Sequence, residues 1–299
     1  MNKMYDILIV GGGPAGLSSL IYAVRGGIEA LLIEDNPYGC GQISLTEQVD
    51  NYPGLNGING FDLGDRFIEH ATSLGGNIKK GKVVKIAKED DHFITETDKG
   101  DVYESKTLIY ALGTHHRLLN IEGEEKFKGH GVSYCATCDA TFFKDKTVAV
   151  VGGGDTALSD AFVLSKLSKK VYVIHRRDVF RASKSLVDKC ALKDNIEFVF
   201  NTVPLRIEGD ESVKRIVTST LTLDASGVFV AVGEIPNSML LEGLADLDNS
   251  SHVITNEDME TKTPGLFVVG DVRSKRLRQV VTAVSDGAIA STYAIEKYC

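Results

Sequence analysis

The sequence predicts an α/β protein in which a three-layer domain is built twice, the second copy interrupting the first. Three observations carry this. An apolar strand, a glycine-rich turn and a helical stretch occur at residues 7–16 and again at 148–157. In each copy a second apolar strand follows and ends 23 positions after the first glycine of the turn, at Glu34 and at His175. Near the C-terminus, a further turn, strand and Gly-Asp pair (Thr263 to Asp271) completes the first copy rather than the second. A chain of 299 residues is long for one domain and suits two.

The first copy opens with the strand Ile7–Val10 and the turn Gly11-Gly12-Gly13-Pro14-Ala15-Gly16. In this context Gly11 permits the tight turn, Gly13 lets the backbone approach a pyrophosphate, and Gly16 allows close packing of helix on strand. The helix beginning at Pro14 and Ala15 offers unpaired N–H groups to phosphates. Glu29 to Ile33 is the second strand, and Glu34 at its end can accept hydrogen bonds from ribose hydroxyls while repelling a 2′-phosphate. A further apolar strand, Leu108 to Tyr110, ends in a domain-closing turn at Gly113. The second copy repeats the pattern with Gly152, Gly154, Asp155, Thr156 and Ala157. Its second strand ends differently, in His175-Arg176-Arg177-Asp178-Val179-Phe180-Arg181. Guanidinium groups bind phosphate oxygens in bidentate fashion, so this cluster marks a 2′-phosphate pocket and hence NADPH. The first copy is then left for FAD, with Asp271 able to bond a ribitol chain. The expected architecture is therefore two Rossmann-like three-layer dinucleotide-binding domains, the NADPH domain inserted into the FAD domain. The expected boundaries are 1–114 and 241–299 for FAD and 115–240 for NADPH.

Five cysteines, an odd number, make no disulfide framework. Cys135 and Cys138 form a C-x-x-C within the second domain. A structural zinc site wants four ligands, and the chain has no second C-x-x-C. The redox reading has a mechanism: one thiolate attacks a substrate disulfide and the other resolves the mixed disulfide. Asp139 is placed to protonate the departing thiolate, or to cap a helix, or both. The net charge of −8 argues against nucleic acid or an anionic membrane as the main partner. No targeting or membrane-spanning segment is expected, and the cytoplasm is the default location.

Taken together, these motifs resemble the low-molecular-weight thioredoxin reductase family. Matching segments run over nearly the whole chain: Gly11–Gly16, Gln42, Asn51-Tyr52-Pro53-Gly54, Cys135–Asp139, Gly152–Ala157, His175–Ala182, Phe229–Asn237, Gly270-Asp271, Arg278-Gln279-Val280 and Asp286-Gly287-Ala288. The resemblance implies a homodimer that passes electrons from NADPH through FAD and the cysteine pair to thioredoxin, a transient protein substrate. It implies FAD contacts from Glu34, Gln42, Asn51, Gly113, Asp271, Gln279 and Val280, and NADPH contacts from His175, Arg176, Arg177 and Arg181. Cys138 would lie against the flavin and Cys135 would attack thioredoxin. The NADPH domain would rotate about hinges at 113–116 and 236–240. Three departures stand out. Cys40 and Ala140 replace usual glycines, and the stretch from Val213 to Asp224 is short enough to lack part of a β-hairpin. Cys190 and Cys299 are expected to be inert. Three alternatives share the fold: a dithiol oxidase, a ferredoxin-driven disulfide reductase and a non-catalytic redox sensor. The arginine cluster weighs against the first two, and turnover of a protein disulfide would dismiss the third.

Overall fold

The computed structural model describes residues 3–36, 40–46 and 48–299. Met1 and Asn2, ahead of the first strand, and Tyr38 and Gly39, beside Cys40, lie outside them. The chain divides into a discontinuous unit, Met1–His115 with Ile235–Cys299, and an inserted unit, His116–Glu234.

The discontinuous unit begins with β1 (Met4–Val10), α1 (Pro14–Arg25) and β2 (Ala30–Glu34), the predicted strand, helix and strand. The helix α2 (Gly60–Ser73) leads to β3 (Asn77–Lys80), β4 (Val83–Glu89), β5 (His92–Thr97) and the long β6 (Val102–Tyr110). The chain then leaves through β7 (Thr114–His116).

The inserted unit opens with β8 (Val132–Ser133) and the single turn α3 (Ala136–Asp139). Its repeat of the first pattern is β9 (Thr147–Gly152), α4 (Asp155–Leu164) and β10 (Lys170–Ile174), followed by α5 (Lys184–Ala191) and β11 (Ile196–Val199). An antiparallel meander, β12 (Pro204–Gly209), β13 (Val213–Thr218) and β14 (Thr222–Asp224), precedes β15 (Gly227–Ala231). The stretch from Val213 to Asp224 that looked short in sequence thus forms two paired strands, β13 and β14, the last of three residues, beside β12. The chain returns through β16 (Glu234–Pro236), which pairs with β7, and ends in β17 (Leu266–Val268) and α6 (Val280–Tyr298).

The two units share one plan. The parallel strands run β3-β2-β1-β6 in the first and β11-β10-β9-β15 in the second, each extended by one strand. That extra strand is β17, last in the chain, in the first unit, and β8, at the start of the insertion, in the second. Alternation decides the faces, because successive side chains of a strand point to opposite sides. Ile7 and Ile9 of β1 join the cluster containing α1 and α6, while Leu8 and Val10 join the opposite cluster with Phe93 of β5, Leu241 and Val253. In β9, Val148 and Val150 pack with α4, and Ala149 and Val151 face the meander residues Ile207, Ile216 and Leu223. Each unit is therefore a layer of helices, a parallel sheet and a layer rich in antiparallel strands.

The return crossing lies between Glu234 and Ile235, earlier than the expected boundary at 240. The reason is Asn237. Its N–H donates to the Gly113 carbonyl (3.0 Å), its Nδ2 donates to the Leu112 carbonyl (2.7 Å), and its own carbonyl accepts from the Tyr110 hydroxyl (2.5 Å). Those bonds fasten residues 236–240 to the end of β6, inside the discontinuous unit.

Candidate active site

In the discontinuous unit the turn from β1 into α1 carries the first nucleotide motif. Gly11 has φ +108° and lies so close to the Ala111 carbonyl that a Cβ would stand 2.6 Å from its oxygen. Only glycine meets both demands. The space a side chain would fill at Gly13 is open, and Gly13 caps α1 without a side-chain bond, leaving the first N–H groups of Ala15 and Gly16 for a ligand. Glu34 ends β2, as expected. Its Oε2 accepts from the Gly12 N–H, and Oε1 accepts from Asn36 N–H (2.9 Å). Burial pushes this carboxyl above the usual range in spite of both bonds. Cys40, 1% exposed, is pushed up to about 12 by burial and then by the neighbouring Glu34 and Asp65 carboxylates.

The other expected flavin contacts gather in the same unit. Gln42 donates to the Thr114 carbonyl (2.7 Å), and Asn51 Nδ2 donates to Gln279 Oε1 (2.8 Å). Gln279 is the N-cap of α6 in a reciprocal capping box with Thr282, which makes Val280 the first helical residue. Gly113 adopts φ +61° at the exit of β6. Asp271 sits in a helical turn whose first residue, Gly270, nearly touches Ala15 of α1. Two cations that no motif marks, Arg273 and Lys275, form a network around it. Lys275 Nζ lies 3.5 Å from Asp271 Oδ1 and 2.9 Å from Asp286 Oδ2, and Arg273 Nη1 lies 2.9 Å from Asp286 Oδ1. The Lys275 and Asp286 side chains are both less than a tenth exposed, and the half-buried Arg273 shares Asp286 with Lys275. Lys275 follows Asp271 by four residues, whereas its pair with Asp286 spans 11 residues and that of Arg273 spans 13.

In the inserted unit Cys135 and Cys138 are joined as a disulfide, with Cα atoms 5.3 Å apart and both residues partly exposed. The pair spans the first turn of α3, where the Cys138 and Asp139 N–H groups donate to the Cys135 carbonyl (3.2 and 3.1 Å). Ser133, unremarked in sequence, organises this turn. Its hydroxyl donates to Asp139 Oδ2 (2.5 Å) and accepts from the Cys135 N–H (3.1 Å). Behind the turn, the Tyr134 hydroxyl donates to buried Glu124 (3.0 Å) and its ring stacks on His116 (4.9 Å). Asp139 therefore stands beside the disulfide with its orientation set.

The second nucleotide motif repeats the first. The Cβ space at Gly154 is open, and Gly154 caps α4 without a side-chain bond. Asp155 and Thr156 are exposed at the helix start and Ala157 is buried against Gly152. Asp155 Oδ1 accepts from Ser183 N–H (2.8 Å). Arg176, Arg177 and Arg181 are all exposed, whereas His175 is 6% exposed and lies beneath them. The open cradles at Gly13 and Gly154, the uncapped helix starts and the acid-or-arginine contrast at the strand ends suit two different dinucleotides.

The model of the pyridine nucleotide-disulphide oxidoreductase family matches residues 5–287. The chain belongs to that family. Within the pyridine nucleotide-disulphide oxidoreductases, a thioredoxin reductase of Peptoclostridium acidaminophilum is 40% identical, with 100% of this chain and 98% of that protein covered. The solved thioredoxin reductase of Streptococcus pyogenes is 39% identical, covers 99% of this chain and 98% of its own, and superposes with a TM-score of 0.93. A ferredoxin-flavin thioredoxin reductase of Clostridium acetobutylicum is 33% identical over 99% of both chains, with a TM-score of 0.55. These relatives place the chain in the low-molecular-weight thioredoxin reductase branch of the family.

Proposed function

We propose that the protein is an NADPH-dependent thioredoxin-disulfide reductase that contains FAD. The observation that carries this is the partly exposed Cys135–Cys138 disulfide, held beside a fixed carboxylate in the same unit as a three-arginine loop. FAD and NADPH, when bound, supply the hydride and the two electrons that reduce this disulfide. The discontinuous unit would hold FAD through Gly11, Gly13, Pro14, Ala15, Gly16, Glu34, Gln42, Asn51, Gly113, Asp271, Gln279 and Val280. The inserted unit would hold NADPH through Gly152, Gly154, Asp155, Thr156, Ala157, Arg176, Arg177 and Arg181, with His175 behind them. It acts in the cytoplasm, and as a homodimer, as the family resemblance implies. Among the described residues no helix is long and apolar enough to cross a membrane.

The chain's own part is disulfide exchange. Two electrons and two protons convert the Cys135–Cys138 bond into two thiols. The Cys135 thiolate then attacks one sulfur of thioredoxin's disulfide, forming a mixed disulfide and releasing the other sulfur as a thiolate. Asp139 passes to that thiolate the proton that Cys135 gave up, and the Cys138 proton goes to the thioredoxin sulfur released last. The Cys138 thiolate attacks Cys135, which frees reduced thioredoxin and restores the Cys135–Cys138 bond. Asp139 suits this task because Ser133 holds it in place.

The test is anaerobic NADPH consumption by the purified yellow protein, with and without oxidised thioredoxin from the same organism. Consumption that requires thioredoxin is expected. Cys135→Ser and Cys138→Ser should each abolish it while FAD remains bound, and retained turnover in either variant rejects the relay. If NADPH does not bleach the flavin of the wild-type protein, a ferredoxin donor becomes the leading reading.

A further inference from the structure

His175 touches both phosphate-binding elements of the inserted unit from below. Its Nε2 lies 3.1 Å from the Val179 carbonyl, which can only accept, so this nitrogen carries the proton. Val179 is the middle of the 176–181 loop that presents the three arginines. The other side of the ring lies under the glycine turn, where a Cβ added at Gly153 would stand 2.2 Å from Nδ1. The two elements also bond directly. Gly153 O accepts from the Arg181 N–H (2.7 Å) and the Ala182 N–H (3.2 Å). Phe180 then packs against the imidazole (5.3 Å between ring centres) and against Phe198 and Phe200. From the buried aromatic floor upward, the order is Phe180, His175, then the glycine turn and the arginine loop side by side.

We infer that His175 is the spacer that sets the distance between the pyrophosphate turn at Gly152–Gly154 and the 2′-phosphate loop at Arg176–Arg181, and so governs the preference for NADPH over NADH without touching the nucleotide. This rests on the nucleotide assignment proposed above. Burial, with the three guanidinium groups beside it, holds the His175 pKa below the ordinary histidine range. The ring is therefore neutral at pH 7, with one N–H to give and no charge to add to the phosphate field. Glu34 occupies the equivalent place in the other unit and touches the equivalent glycine through its carboxylate. The position thus serves as a prop under the turn in both units, and only in the inserted unit does it also reach a loop of arginines.

A spacer makes a sharper demand than a packing residue. NADH uses only the pyrophosphate turn, whereas NADPH needs the turn and the loop at the right separation. Losing the bond to Val179 should cost about 1 kcal/mol, or about fivefold, and only for ligands that carry the 2′-phosphate. The probes are 2′,5′-ADP and 5′-ADP, with equilibrium binding to the FAD-loaded protein measured by calorimetry. In His175→Phe, which keeps a ring and loses the donor, the Kd for 2′,5′-ADP should rise about fivefold while that for 5′-ADP holds. The KM for NADPH should rise in step at unchanged kcat. His175→Gln, which restores an N–H donor, should recover part of the loss. Should the Phe variant not accumulate, His175→Leu reads the same contrast. Equal weakening of both probes, or no change in their ratio, overturns the spacer role. Arg181→Ala separates this from the underlying assignment. If wild type does not prefer 2′,5′-ADP, or Arg181→Ala keeps that preference, the phosphate loop itself is misplaced. If Arg181→Ala loses the preference and His175→Phe keeps it, the loop stands and the spacer falls.

Discussion

Cys40 and Cys135 show how far the surroundings of one atom divide identical side chains. Cys135 is partly exposed and bonded to Cys138, whereas the Cys40 thiol is sealed beneath α2, against Gly64. With its pKa pushed up to about 12, Cys40 carries a thiolate fraction on the order of one in ten thousand at pH 8. Iodoacetamide followed by peptide mass mapping should therefore label exposed Cys299 first, and Cys40 and Cys190 only after denaturation. Labelling of Cys40 at the rate of Cys299 would remove it from the core. At this scale the sequence was legible where a residue type stands at a defined place in a repeated pattern. Glu34 and the arginines after His175 could be read because the second strand fixes their address. Ser133 and Lys275 could not, because Ser133 meets Asp139 across a turn and Lys275 meets Asp286 eleven residues on, at spacings that no repeat announces.

At the scale of single elements, α4 carries an unexpected titration. Asp160 is pushed up to about 7, first by burial and then by the Glu234 carboxylate. The sign follows from proton linkage. The folded state holds this proton more tightly than the unfolded chain, whose carboxyl titrates near 3.8. The stability it contributes is full below pH 3.8 and is lost as pH rises through about 7. Asp160→Asn removes the loss, worth on the order of 2 kcal/mol once partial exposure is allowed for. The inserted unit of the variant should melt several degrees above wild type at pH 8, with the gap closing toward pH 5. An equal shift at both pH values would show that the substitution acts through something other than ionisation. The strands and helices that flank the two glycine turns were readable from the repeated motif, and the antiparallel layers were not. A strand of three residues such as β14 is too short to show alternation. The stretch from Val213 to Asp224 looked truncated because its last strand is short, yet Ile216 and Leu223 still close the face behind β9.

For the whole molecule, the repeat of strand, glycine turn, helix and strand was enough to announce two units and their nesting. The place of the return crossing was not, since it depends on Asn237 bonding back to Leu112 and Gly113 across more than a hundred residues. Each unit owns its clusters of buried side chains: the two around β1 in one, the two around β9 in the other. Separate cores predict separate melting. Calorimetry of the flavin-free protein should resolve two transitions. Added FAD should raise only the one belonging to the discontinuous unit, and added NADP+ only the one belonging to the inserted unit, as binding to a single folded partner requires. A single transition raised equally by both ligands would show that the units unfold as one.

The split of the first unit also imposes an order on the chain as it leaves the ribosome. β6 is exposed to its neighbours early, yet β17, which pairs with Leu108 to Tyr110, and α6, whose Ala290 and Ala294 pack into the cluster of α1, are synthesised last. The inserted unit has all its strands and helices once Glu234 has emerged, so it can fold first, while the earlier half still waits for its partner. At translation speeds of roughly 5–20 residues per second, the apolar face of β1 and α1 stays uncovered for some seconds longer than its position in the chain would suggest. The portion made first is thus the portion finished last, and chaperone capture of stalled chains should concentrate on those lacking α6.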